Sequence, residues 1–275
     1  MWLVKMRSPE MKKVGGICVV LGLAASWACT EIDVRIPSQL GLSDPRVHQE
    51  KEPITLKRLK EIQKEKMELS RNPVTTRCDI YGSTKLNLAP EPQETSDWCW
   101  AATSRMVIAF HNGLTGDPTH RQCSIVSNSV DLELNRVDCC PSEAASARTE
   151  CMGGGWPWAV FDKYDFDYEV VEEALDWESL TNEICGTGPF LYVLNLEGGG
   201  KHALVAAGYR TANISEANDP SQTQQLVQIY DPTHDDFQLI THAEFVGNVP
   251  APNGLPPHFH DRDYVQISPN VRRQP

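Results

Sequence analysis

The stretch Gln93-Glu94-Thr95-Ser96-Asp97-Trp98-Cys99-Trp100-Ala101-Ala102 puts a cysteine at the start of an apolar, helix-forming run. At a helix N-terminus, unpaired backbone N–H groups and the helix dipole favour the thiolate of such a side chain. A thiolate is the nucleophile that acyl transfer requires. The side-chain amide N–H of Gln93, on the same stretch, can reach the substrate oxygen that the backbone N–H of Cys99 also reaches. Two such donors form an oxyanion hole. The plainer reading is a buried structural cysteine at a helix start, a common packing residue.

Gln93 followed by Cys99-Trp100-Ala101-Ala102 resembles the active-site segment of papain-like cysteine peptidases. The Trp98-Cys99-Trp100-Ala101-Ala102 form is similar to a compact bacterial branch of that family, which includes a secreted plant-pathogen effector protease. Cys151-Met152-Gly153-Gly154-Gly155-Trp156-Pro157 resembles the family's Cys-Asn-Gly-Gly-Tyr-Pro segment, with one extra residue. Gly188-Pro189-Phe190 and His202-Ala203-Leu204-Val205-Ala206-Ala207-Gly208-Tyr209 match two of its strands in the family's order. The resemblance implies an α+β, two-lobed papain-like fold. A helical N-terminal lobe and a β-rich C-terminal lobe would hold the active site in the cleft between them. It also implies peptide-bond hydrolysis through a thioester, without cofactor or metal. Gly153 and Gly154 would then bind the substrate backbone, because glycine permits close approach, with Trp156 beside them lining the cleft.

Among eight histidines, only the His-Ala-Leu-Val context singles out His202 as the base. Its role would be to pair with the Cys99 thiolate and then protonate the leaving amine. Asp231-Pro232 closes the next strand, where the bacterial branch uses Asp-Pro. A carboxylate there would fix the imidazole tautomer. Asp231 can also be read as a turn residue, and Asp235 and Asp236 are alternatives. This chain departs from the family's pattern at three places. Ser96 replaces a disulfide-forming cysteine, so Cys151 needs another partner. Lys201 adjoins His202 and would oppose its charge if it pointed inward. The Ser-Trp that shields the third residue in papain is missing after Asp231.

These groups need elements to hold them. Residues 98–112 read as a helix stopped by Gly113, and residues 157–163 and 177–185 as two short helices. Residues 190–196, 203–209, 226–230 and 264–267 are strand-like, rich in β-branched and aromatic residues. Residues 113–155, with many Cys, Gly, Ser and Asp, read as disulfide-pinned loops. Residues 54–71 form a charged helix with Leu56, Leu59 and Ile62 near one face. Helices first and strands later indicate an α+β architecture. The domain expected from this pattern spans 85–268. Residues 29–84 would be a linker or a propeptide with one charged helix, and 269–275 a tail. His258, His260 and Asp261 are too few to be read as a metal site.

Residues 1–28 read as a signal peptide, with Met11 the more convincing start. A basic Lys12-Lys13 pair precedes an apolar run over 14–25 and the small residues Ser26 and Ala28. Export follows, either as a secreted protein or as a cell-envelope lipoprotein carried by Cys29. Lipid on Cys29 would be the chain's one link to a membrane. Of nine cysteines, Cys78, Cys123, Cys139, Cys140, Cys151 and Cys185 are left for structural disulfides, in an oxidising compartment. A net charge of −12 argues against nucleic acid as a partner. The partner expected is a peptide or protein substrate, met by a monomer. The rival readings are a non-peptidase amide hydrolase on the same scaffold and an inactive papain-like binding protein. Mass spectrometry of the mature N-terminus separates the two export routes. A lipoprotein shows a diacylglyceryl adduct on Cys29, whereas an unmodified N-terminus at or beyond Cys29 excludes it.

Overall fold

A computed structural model describes residues 50–69, 79, 81–112, 121–129, 138–140, 151–197, 199–213, 223–247 and 258–270. In chain order the elements are α1 (Leu56–Leu69), β1 (Ser83–Lys85), α2 (Cys99–Asn112), α3 (Gln122–Ser129), α4 (Pro157–Lys163), β2 (Phe166–Val171) and α5 (Trp177–Gly186). They continue with β3 (Phe190–Leu196), β4 (Lys201–Asn213), β5 (Thr223–Tyr230), β6 (Phe237–Thr241), α6 (His242–Phe245) and β7 (His258–Pro269). The expected signal peptide and Cys29 lie outside the described residues, as does Cys78.

The strands form one antiparallel sheet in the order β2-β7-β3-β4-β5-β6. One edge of β4 pairs with β3 along residues 201–206 and with β1 along 208–210. At that junction a Cβ on Gly208 would lie 2.7 Å from the Thr84 carbonyl oxygen, so only glycine lets β1 approach.

Alternation along the central strands divides the core. Leu191 and Val193 of β3, with Ala203, Val205 and Ala207 of β4, pack with α2, α3 and α4. Phe190, Tyr192 and Leu194, with Leu204 and Ala206, pack with α1 and α5. A strand covered on both faces reads as a continuous apolar run, and this makes β3 legible at its observed bounds. The other expected strands lie inside longer ones. β2 and β6 were not expected, and neither was α3 within the span read as loops. Disulfides join Cys123 to Cys140 and Cys139 to Cys151. Cys185 is disulfide-bonded as well. Cys151 thereby has the partner that Ser96 cannot supply.

Helix α1 is docked through a buried polar side chain, Gln63, beneath its apolar stripe. Leu59 is buried, and Leu56 and Ile62 are half-buried. Gln63 Nε2 donates to the Ser179 carbonyl at 3.0 Å and to Glu183 Oε2 at 3.1 Å. Glu183 also accepts from the backbone N–H of Gln266 at 2.6 Å and from its side-chain amide. Gln266 has φ 55°, a left-handed backbone that a non-glycine residue seldom adopts unless its surroundings hold it. Burial raises the Glu183 pKa, and its amide donors only partly oppose that. Replacing Glu183 with Ala orphans these buried donors and should remove about 2–4 kcal/mol of stability. Urea denaturation measures this, and a loss below about 1 kcal/mol would show that the donors find other partners.

Candidate active site

Cys99 opens α2 and is 8% exposed. His202 lies near the start of β4, and Asp231 directly follows β5. The fold brings these three expected residues together. His202 Nε2 is 2.8 Å from Asp231 Oδ1, and the same ring is hydrogen-bonded to Cys99. With Nε2 on the carboxylate, Nδ1 is the nitrogen left for sulfur. Burial alone would lower the His202 pKa, but the hydrogen bonds and charges of Asp231 and Cys99 raise it to about 9. Burial alone would raise that of Asp231. The His202 hydrogen bond and charge, with two bonds from Thr233, bring it down to about 2.

Thr233 does the shielding that the missing Ser-Trp leaves undone. Its backbone N–H and its hydroxyl donate to Asp231 Oδ1 at 2.9 and 2.7 Å. Asp231 is 2% exposed. His234 Nδ1 stands 3.5 Å from the other carboxylate oxygen. Asp235 and Asp236 do not line the cavity around the cysteine.

The loop before Cys99 is held from two sides. The Gln93 backbone N–H donates to the Pro232 carbonyl at 2.8 Å, tying the expected oxyanion donor to the turn that carries Asp231. Gln93 Oε1 is buried without a hydrogen-bond partner. On α3, buried Gln122 accepts from the Glu94 N–H at 2.8 Å and donates to the Pro92 carbonyl at 2.8 Å. Sequence reasoning missed Gln122 because it precedes Cys123 in a stretch that reads as loop. Its one signal is a polar residue at the start of a short run with Ile125 and Val126.

An open cavity of about 640 Å³ surrounds Cys99 and His202, and Gly154, Trp156 and Lys201 line it. The Cys139–Cys151 bond ties its glycine segment down, and the Trp98 indole N–H donates to the Cys151 carbonyl at 2.7 Å. Gly155 lies against Trp100, where a Cβ would come within 2.5 Å of the ring. Gly153 is exposed and outside the lining. Lys201 does not point at His202. Its Nζ bonds Asn195 Oδ1 at 2.9 Å and pairs with Asp261. His260 faces Asp263, and among the described residues no cluster of three or more His, Cys, Asp or Glu could hold a metal.

An α+β fold with a helix-borne cysteine facing a sheet-borne histidine across an open cleft is that of a papain-like cysteine protease. A family model described as papain-like cysteine protease AvrRpt2 matches residues 82–246, more than half of the chain, and the chain belongs to that family. Among solved structures it is similar to proCathepsin B S9 from Trypanosoma congolense, at 13% identity and a TM-score of 0.40. That match covers 70% of this chain and 79% of that one. No curated protein matches it.

The two shifts set a pH window. His202 keeps its proton until the pH approaches about 9, and Asp231 stays ionised down to about 2. The stability His202 contributes is complete below its unfolded pKa of about 6.5 and is lost as the pH rises through the folded value. The contribution of Asp231 is present above about 3.9 and is lost as the pH falls through its folded value. The alkaline limb of kcat/KM for a peptide should fall near pH 9. In Asp231→Asn it should move to lower pH, because the imidazolium loses its charged partner. An unmoved limb would show that Asp231 does not hold the histidine charged.

Proposed function

We propose that this chain is an exported peptidase that cleaves peptide bonds through Cys99, His202 and Asp231. The observation that carries this reading is the position of His202, hydrogen-bonded to the Cys99 thiol and to a buried carboxylate. Cys99 Sγ attacks the scissile carbonyl carbon, and the carbonyl oxygen takes up the negative charge. The Cys99 backbone N–H and the Gln93 amide stabilise that oxyanion. Collapse breaks the C–N bond, and His202 Nδ1 gives its proton to the leaving amine. A thioester remains on Cys99. His202, now neutral, takes a proton from water as the water oxygen attacks, and the acid product leaves with the thiolate restored. Asp231 holds the ring in one tautomer throughout. Gly154 and Trp156 line the cavity and offer one backbone-binding and one apolar surface to the peptide.

Export belongs to the same reading. The apolar run over 14–25 supports it, and so do the disulfides, which persist in oxidising compartments. The monomer is supported by one chain supplying thiol, imidazole and carboxylate.

A diverse peptide library incubated with the purified chain reads cleavage and its sequence preference together. Cys99→Ala should lower cleavage roughly a thousandfold or more, and Cys99→Ser nearly as far, since a hydroxyl is a poor substitute at a thiolate site. Alkylation of Cys99 by a thiol reagent should slow in His202→Ala. Cleavage that survives Cys99→Ala, or alkylation indifferent to His202, overturns the reading in favour of a binding protein.

A further inference from the structure

Behind Trp156 and Lys201 on one wall of the cleft stand charged side chains that none of the acyl-transfer steps uses. Asp261, on β7, is their hub. Its Oδ1 accepts from Asn195 Nδ2 at 2.9 Å and pairs with Lys201, and its Oδ2 accepts from Arg262 Nε at 2.8 Å. Arg262 is held from behind by Glu50, which also accepts from the Tyr264 hydroxyl. Lys201 Nζ and Arg262 Cζ stand 5.2 and 5.1 Å from the centre of the Trp156 ring. A cation within about 6 Å of an indole face is attracted to it. Trp156, which lines the cavity, thus has two cations near its ring, and both are tied to one carboxylate.

We propose that Asp261 is a positioning residue of this active site: it draws Lys201 away from His202 and onto Trp156, so that no second cation bears on the histidine and the indole is held as the wall of the cleft. The inference rests on His202 being the working base of the peptidase reading. The groups around that ring are Cys99 from α2, Asp231 and His234 after β5, Asp97 before α2, and Lys201 on its own strand. Around Lys201 stand Asn195 from β3, Asp261 and Arg262 from β7, and Trp156 before α4. Arg262 is already paired on both sides, with Asp261 and Glu50, so Lys201 is the cation whose direction matters. Asn in place of Asp261 could accept a hydrogen bond but would leave Lys201 without a counter-charge beside Arg262, which keeps Glu50. Repulsion between the two cations would release the more exposed one, Lys201, towards His202, and a like charge there disfavours the imidazolium. Burial would raise the Asp261 pKa, but its bonds to Lys201, Arg262 and Asn195 lower it, so the hub stays charged.

The test is a histidine NMR titration of the full chain, which reads His202 without any substrate, alongside peptide kinetics. Asp261→Asn should lower the His202 midpoint by about half a pH unit or more, and adding Lys201→Met should return it to the wild-type value. Lys201→Met alone should leave the midpoint within about 0.2 unit, because the native ammonium does not act on the ring. Asp261→Glu should preserve the native midpoint. In Asp261→Asn the KM for a peptide should rise by a larger factor than kcat falls, as the indole wall loosens. A midpoint unmoved in Asp261→Asn overturns the proposal, as does a shift that persists in the double variant. So does a Lys201→Met chain whose midpoint departs from wild type, and this last result decides the matter even if Asp261→Asn does not fold. A chain that shows these shifts but cleaves no peptide keeps the positioning role and loses the peptidase reading. A chain that cleaves while the midpoint stays in place does the reverse.

Discussion

The packing of α2 on β4 is the constraint on which the rest of the active site depends. Cys99 belongs to the helix, and His202 belongs to the strand. A thiol and an imidazole separated by one extra ångström would no longer share a proton. Small residues make the approach close: Ala101 on α2, with Ala203 and Ala207 on β4, lie in the same buried cluster. Interiors packed to this density do not deform gradually, so a larger side chain at these positions would displace the helix start as a unit.

A second set of restraints holds what surrounds the pair. The Gln93 backbone is bonded to the turn that carries Asp231, so the two segments are held to each other. Gln122 fixes the same loop from α3, and the Cys139–Cys151 bond fixes the glycine segment opposite. Each restraint orders a loop before substrate arrives, and that ordering limits the reorganisation left for the transition state. Cys99 is the free cysteine among the described residues, while the cysteines near it are bonded in pairs. The site therefore combines a free thiol with an oxidised frame.

Cys99, His202 and Asp231 were legible because their local context is dense: a helix start, a strand start and an Asp-Pro turn. α2 was legible because apolar residues recur at helical spacing, and β3 because its apolar run is continuous. β2 was missed although Phe166-Asp167-Tyr168-Glu169 alternates apolar and acidic residues as a half-buried strand does. α3 lies among disulfide-linked segments whose composition resembles loop. The least legible feature was the direction of Lys201. By sequence its neighbour is His202, whose charge it would oppose if it pointed inward. Its actual partners are Asn195, on the neighbouring strand, and Asp261, which only the β3–β7 pairing brings near. Periodicity reports which face a residue takes, not which distant carboxylate meets it there.

Burial by itself does not decide which carboxylate stays ionised here. Asp231, Glu183 and Asp263 are all withdrawn from water. Burial raises the pKa of Glu183, whose partners are neutral amides, and of Asp263. His260 comes within 3.2 Å of Asp263 but out of line for a hydrogen bond, so the cation offsets too little of the desolvation. Only Asp231 combines an aligned imidazole with a backbone N–H and a hydroxyl, and of the three only its pKa moves down. Ionisation in a buried place takes both charge and alignment. Asp231 has both, and of the three it is the one that lines the cavity around Cys99.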